Sequence, residues 1–334
     1  MKEKVILDPY ARKLTEIFAP EDLQRLYALT DVVWGRDEPM PTDALEHARQ
    51  DAFAIITGRW RYGDVAAMPA LRAILEVSGR HPSPQVLDYQ QCFARGIRVL
   101  SCAPAFGPMV AEMALGLALA AAREIVDAHT AFAAGAEKWL HAGNATAFTL
   151  YGQTVGFIGY GGLARALQPL LAPFGCPLLA YDPWLPESYL LKQGVTPTAL
   201  DSLLATAKVI FVLAIPSKEN RALLDRTHLE QIQSGAVLVL VSRAHLVDFE
   251  ALTDLVSQGR FKAAIDVFPQ EPLPLEHPIR RTRGVILSAH RAGSVPRDLR
   301  NIGRMVVEDI EAMLAGLPPL SMQVAQPELV YRLE

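Results

Sequence analysis

The sequence predicts an α/β protein of two doubly wound domains with parallel sheets, and three observations carry that expectation. Short β-type apolar runs alternate with helical stretches along the whole chain. A glycine-rich turn stands between a hydrophobic run and a helix near the middle of the sequence. Finally, 334 residues suffice for two cores at about 100 to 200 residues per domain, without disulfide or metal staples.

The elements follow in order. In the first hundred residues, strands are expected at 5–7, 52–57, 74–78 and 98–102, with helices at 21–29 and 88–95 between some of them. A long Ala/Leu/Met-rich helix is expected at 108–126, then a less regular segment at 134–151 that reads as a domain junction. Beyond it the alternation is more regular: strand TVGFI at 154–158, helix 163–174, and strands 177–181, 209–214, 237–241, 263–266 and 284–288. A last helix is expected at 295–314. Strands joined by crossover helices must run parallel, which places ligands at their carboxyl ends.

Composition excludes several classes. Thirty-two Lys+Arg against 36 Asp+Glu leave a net charge of -4, without the basic excess that phosphate contacts require, so no nucleic-acid partner is expected. Cys92, Cys102 and Cys176 form no CxxC pair and sit in apolar company, as reduced core residues do. No HExxH or Cys/His spacing suits a metal. The beginning, MKEKVILDPYARK, lacks an apolar h-region. The most membrane-like stretch, 109–122, carries Glu112 and is shorter than the roughly 20 residues of a span. A cytoplasmic protein with no membrane partner is the expectation.

The segment VGFIGYGGLA at 155–164 fits G-x-G-x-x-G/A at Gly159, Gly161 and Ala164. Gly159 would allow the tight turn and Gly161 the approach of a pyrophosphate to the helix N-terminus, while Ala164 would pack helix on strand. Asp182 ends the next strand 18 residues after Ala164, where a carboxylate can accept both ribose hydroxyls. A 2′-phosphate about 4 Å from that carboxylate would cost roughly 4 kcal/mol at an effective dielectric of 20, so NAD is favoured over NADP.

Three further segments, VLVLVSRAHLVDFEAL, AAIDVFPQEPLPLEHP and GVILSAHRAGS, together with LYGQTVGFIGYGGLARAL, resemble the signatures of the D-isomer-specific 2-hydroxyacid dehydrogenase family in order and spacing over most of residues 50–315. The resemblance implies an NAD-binding Rossmann domain (104–292) inserted into a flavodoxin-like substrate domain (1–103 and 293–334). It implies an NAD-dependent enzyme that interconverts a small 2-keto acid and a D-2-hydroxy acid. Arg243 would orient the substrate, His290 would be the acid/base, and Glu271 would tune it. An unperturbed histidine near 6.5 is only about a quarter charged at pH 7, and a carboxylate that raised it by about one unit would make about three quarters charged. The resemblance also places Asp266 against the nicotinamide carboxamide, and Gly162, Leu163, Ala214, Pro216, Val241, Ser242 and Gly293 along the cofactor. A homodimer is implied, with helix 109–126 and Trp139 as candidate contacts. Of the remaining histidines, His47, His129, His141, His228, His245 and His277 are expected to be structural.

The pattern breaks at the family's glycine-rich substrate loop, where this chain reads HPSPQVLD at 81–88. Pro82 and Pro84 have no N–H to donate, so Ser78, Gly79 and Arg80 become the candidates for holding the substrate carboxylate. Arg80, His81 and Arg291 suggest a substrate bulkier or more anionic than lactate. Ala244 and His245 replace the usual Arg-Gly, and a positive φ at Ala244 would cost something like 1 kcal/mol. Two rival readings stand beside the dehydrogenase: an NAD(H)-sensing binding protein of corepressor type, and a formate dehydrogenase. Members of the latter family pair the histidine with Gln, where this chain has Glu271.

Overall fold

The computed structural model describes residues 2–332 and divides into two compact units, Met1–Phe106 with Ser294–Glu334, and Gly107–Gly293. Both are α/β with sheets that are parallel or nearly so.

The first unit holds strands β1 (Lys4–Asp8), β2 (Asp31–Trp34), β3 (Ala52–Thr57), β4 (Ala73–Glu76) and β5 (Arg98–Ser101). They pair in parallel in the order β5-β4-β3-β1-β2. The central strands are hydrophobic without alternation because helices cover both faces of the sheet, and AILE in β4 is buried throughout. The two-residue strand Gln323–Val324 closes the far edge by pairing antiparallel with β5. Helix Asn301–Leu314 packs against helix Pro20–Leu29.

The second unit holds β6 (Val155–Ile158), β7 (Leu178–Tyr181), β8 (Thr196–Pro197), β9 (Val209–Val212), β10 (Val237–Leu240), β11 (Lys262–Ile265) and β12 (Val285–Leu287). All pair in parallel, in the order β12-β11-β10-β9-β6-β7-β8. The strand order reverses between β6 and β9, which makes their carboxyl ends the crevice where an open sheet of this kind binds ligand. Strand β13 is then Gln323–Val324 of the first unit.

Three expected boundaries move. The helix expected at 108–126 ends at Ala122; Glu124, at φ +55°, turns the chain, and a separate helix runs over Ile125–Ala133 inside the stretch that approaches the expected junction. Helix 163–174 is an α-helix at Gly162–Leu171 followed by a 3-10 turn, with Pro169 inside it. The last helix breaks at Arg300 into Pro296–Leu299 and Asn301–Leu314. Strands β2, β8 and β13 were not expected, because none is a buried apolar run: two have only two residues, and β2 is exposed to half-buried.

Gly303 shows how tightly the first unit is packed. A methyl group there would lie 2.6 Å from the carbonyl oxygen of Ile17 and would also meet the ring of Phe18. Gly303→Ala should therefore destabilise the protein by about 1–3 kcal/mol despite the better helix propensity of alanine, read as a lowered midpoint in urea with unchanged m.

Candidate active site and cofactor turn

The second unit brings the glycine turn together at the end of β6. Gly159 has φ +87°, and a Cβ there would come within 2.6 Å of the backbone nitrogen of Ala214, so both conformation and space demand glycine. Ala214 therefore touches the turn that the sequence assigned it to. Gly161 precedes helix Gly162–Leu171, whose N-terminus has no side-chain cap. A Cβ at Gly161 or Gly162 would meet nothing within 4 Å. Uncapped N–H groups under open space are what a pyrophosphate requires. Leu163 is half-buried in the first turn, and Ala164 is fully buried against the sheet.

Asp182 follows β7 and does more than end a strand. Its Oδ2 accepts the N–H of Tyr160 at 2.8 Å and its Oδ1 that of Trp184 at 3.0 Å, which fixes a half-buried carboxylate beside the glycine turn. On the other side of the switch point, Val241 and Ser242 follow β10 and are buried, and Pro216 is half-buried after β9. The Ser242 hydroxyl has no hydrogen-bond partner among the described residues, and neither do those of Ser217 and Ser288. Buried hydroxyls rarely stay unpaired. Two of them, Ser242 and Ser288, stand just past strand carboxyl ends, which fits a polar ligand lying along that edge. The sequence reading missed Ser217 and Ser288, although Ser288 follows its strand as closely as Ser242 does.

Arg243 comes next, exposed and extended at φ −149°, with Nη1 donating to the Ser242 carbonyl at 2.7 Å. Ala244 begins a 3-10 turn and is not among the residues at positive φ, so the strain considered for it does not arise.

Glu271 and His290 meet directly. Glu271 Oε2 lies 2.7 Å from His290 Nδ1, and Oε1 accepts the N–H of Phe268 at 3.0 Å. Burial pushes the Glu271 carboxyl upward. The hydrogen bonds from His290 and Phe268, helped by the charges of His290 and Arg243, outweigh it and hold the group below its ordinary value. Glu271 is thus a carboxylate across the neutral range, and the contact at Nδ1 leaves Nε2 of the half-exposed ring for exchange with a reactant.

Asp266 lies beneath the loop that carries His290. It is fully buried, and its two oxygens accept the N–H groups of Arg291 at 2.9 Å and Ala292 at 3.0 Å, while its carbonyl accepts the N–H of His290 at 2.8 Å. The carboxylate thus supports the loop that carries the histidine. That loop needs the support, since His290 stands at φ +52°. Gly293 lies half-buried just beyond it, and the Arg291 side chain is exposed.

In the first unit, Ser78 and Arg80 depart from expectation. Both N–H groups donate to Oε2 of the buried Glu76, at 3.0 and 3.3 Å, so they are not presented to an outside carboxylate. Gly79 between them, at φ +101°, is pressed against the ring of Phe106. Nor does His81 add positive charge: burial lowers its pKa, opposed by the contact of Nε2 with the Gln323 carbonyl at 3.0 Å. Four of the histidines expected to be structural, His47, His228, His245 and His277, make local contacts with Asp43, Asp225, Ser217 and Ile279. Cys92, Cys102 and Cys176 are free thiols, the first two buried and the third half-buried.

A nucleotide turn, an acidic strand end and an Arg/Glu/His constellation on one parallel sheet define an α/β dehydrogenase fold, and comparison with known proteins sharpens that class. Residues 115–292 match the model of the D-isomer specific 2-hydroxyacid dehydrogenase, NAD binding domain. A solved phosphoglycerate oxidoreductase from Rhizobium etli superposes with a TM-score of 0.88 at 37% identity, covering 99% of this chain and 100% of that one. D-3-phosphoglycerate dehydrogenase of Mycobacterium leprae is 31% identical over 69% of this chain and 43% of its own length. Glyoxylate reductase of Thermofilum pendens is 28% identical over 92% of both. The chain belongs to the D-isomer-specific 2-hydroxyacid dehydrogenase family, and its second unit carries that family's NAD-binding domain. It spans about half the length of the curated phosphoglycerate dehydrogenases that it matches.

Asp266→Asn keeps the shape of the side chain but removes its charge and one acceptor oxygen. It should cost about 1.5–3 kcal/mol of stability, measured by chemical denaturation. Glu271→Gln should remove a stability term that is present above the ordinary carboxylate range and lost as pH falls through the depressed pKa of Glu271. Melting curves from pH 7 down to pH 3 should therefore converge for variant and parent at the acid end.

Proposed function

We propose that this chain is an NAD-dependent oxidoreductase interconverting a 2-keto acid and a D-2-hydroxy acid. The observation that carries the reading is the 2.7 Å contact between Glu271 Oε2 and His290 Nδ1 in a unit that also supplies Arg243. NAD(H), when bound along the glycine turn, Asp182 and Ser242, supplies or accepts the hydride. Arg243 holds the substrate carboxylate and polarises the neighbouring ketone with a planar, permanently charged fork. His290 delivers a proton from Nε2 to the keto oxygen, and takes it back in the oxidative direction. Glu271 holds the proton on Nδ1 and so keeps Nε2 directed to the reacting oxygen. Asp266 acts through the loop, as a positioning residue.

Substrate class follows from charge. Arg291, in the same unit as Arg243, Glu271 and His290, is exposed and suits a keto acid with a second anionic group or greater bulk than lactate. The relatives named for phosphoglycerate and for glyoxylate bracket that range. Glu271 at the histidine's partner position argues for the dehydrogenase over a formate-oxidising enzyme, and the exposed ring of His290 argues for it over a sensing protein.

The protein works as a cytoplasmic homodimer in this reading, in keeping with three free thiols. Helix Ile125–Ala133 buries none of its residues, and Phe132 packs edge-on against Trp139 while both stay more than 60% exposed. An aromatic pair in that position suits a partner surface.

The decisive assay follows NADH oxidation at neutral pH against glyoxylate, hydroxypyruvate, pyruvate, phenylpyruvate, 2-ketoglutarate and phosphohydroxypyruvate. The expected outcome is turnover on at least one acid, with NADH much preferred over NADPH. His290→Ala should lower kcat by about 10²–10⁴-fold. NADH binding without turnover on any acid would select the sensing protein instead. Trp139→Asp should shift the species seen by light scattering from dimer to monomer; a parent protein that is monomeric at micromolar concentration would exclude the dimer.

A further inference from the structure

The loop that carries Glu271 has little regular structure to hold it: past β11, no helix or strand forms from Asp266 to His277. Val267 and Leu273 anchor its two sides, both buried in the same core as helix Phe249–Ser257. Of the five residues between them, Pro269, Gln270, Glu271 and Pro272 are exposed, and only Phe268 turns back onto that core. Its ring meets Phe249 edge-on, with centroids 6.0 Å apart and planes at 73°.

Phe249 offers a firm seat. It is the first residue of its helix, whose start is fixed by Asp248 accepting the N–H of Ala251 at 3.0 Å, and it is 6% exposed. The ring of His277 packs on it too, at 5.7 Å. Edge-to-face rings favour a restricted set of arrangements, so such a contact carries direction as well as burial. Phe268 passes that direction on through its backbone. Its N–H donates to Glu271 Oε1 at 3.0 Å, while Oε2, the other oxygen, meets His290.

We propose that Phe249 is a positioning residue for the Glu271–His290 pair: its ring seats Phe268, and the seated backbone N–H of Phe268 turns Glu271 so that Oε2 reaches Nδ1 of the histidine. All four residues lie in the second unit. The inference deepens the keto-acid reading and rests on it where turnover is concerned, whereas the seating of Glu271 is a property of the fold. A ring that merely filled space would affect stability alone. A ring that seats the loop must also act through Glu271, and its effect must shrink once the carboxylate is gone.

A double-mutant cycle in the intact protein tests this. On the keto acid that the parent turns over best, Phe249→Ala should lower kcat by about tenfold or more alone, but by less than about threefold when Glu271→Gln is already present. Phe249→Tyr keeps the ring and should retain the parent kcat. Leu255→Ala, a core change further along the same helix, should have the same effect on kcat with and without Glu271→Gln. Equal effects of Phe249→Ala in the two backgrounds, or coupling as large for Leu255→Ala, would overturn the proposal. Melting curves at pH 7 give a second reading that needs no turnover. The stability difference between the parent and Glu271→Gln should fall by about half or more when Phe249→Ala is added to both; an undiminished difference would overturn the proposal. If Phe249→Ala does not fold, Phe268→Ala cuts the same contact from its half-buried side, and the same two couplings are expected of it; their absence would overturn the proposal. A parent inactive on every keto acid would overturn the keto-acid reading, while the melts still decide whether Phe249 seats Glu271.

Discussion

Two N–H groups donated to the Asp266 carboxylate hold the loop that carries His290. The loop after β12 leaves the sheet with no secondary structure to support it, and His290 adopts a left-handed conformation that a non-glycine residue takes only when its surroundings impose it. Asp266 imposes it from beneath, through both oxygens and its own carbonyl, at the end of the neighbouring strand. With the backbone fixed, Nδ1 meets Glu271, and Glu271 is fixed in turn by the N–H of Phe268. Every link joins residues of β11, β12 and the loops that follow them, so their register positions the Glu271–His290 pair directly.

A buried or half-buried carboxylate that gathers backbone N–H groups recurs elsewhere in the chain. Asp309 accepts from Leu320, Ser321 and Met322 and so ties the segment before β13 to helix Asn301–Leu314. Glu76 does the same at β4, and Asp182 at the nucleotide turn. Irregular loops leave donors that helices and strands would have paired, and a charged acceptor satisfies two or three of them at once. The donors oppose the desolvation of these acids, although at Glu76 burial still outweighs them and raises the carboxyl to about 7.

These arrangements explain which parts of the molecule were legible in the sequence. Central strands such as VLVL at β10 announce themselves because both faces are buried, and the glycine turn does so because Gly159 must pass so close to Ala214. Arg243, Glu271 and His290 were named from motif resemblance, and the contact between the last two followed. The donors that Asp266 accepts were not legible. Its motif marks the position of the carboxylate but says nothing about which donors reach it from 25 positions further along the chain. Ser78 and Arg80 failed for a related reason: the residue that takes their N–H groups, Glu76, looks in sequence like the polar end of a strand. The break at Glu124 inside an apolar run has no glycine or proline to signal it.

The pairing of β13 with β5 also bears on how the protein is made. The first unit is assembled from two stretches of chain, and Gln323 and Val324 lie opposite Ser101 and Leu100. A ribosome delivers those partners only after it has released every residue of the second unit, which is continuous from Gly107 to Gly293. The inserted unit can therefore complete its sheet during synthesis, while β5 waits with an open edge. During that interval the nascent chain exposes an unpaired strand, so the order of translation makes the edge of β5 the place where chaperone binding or mispairing between neighbouring chains on a polysome would begin.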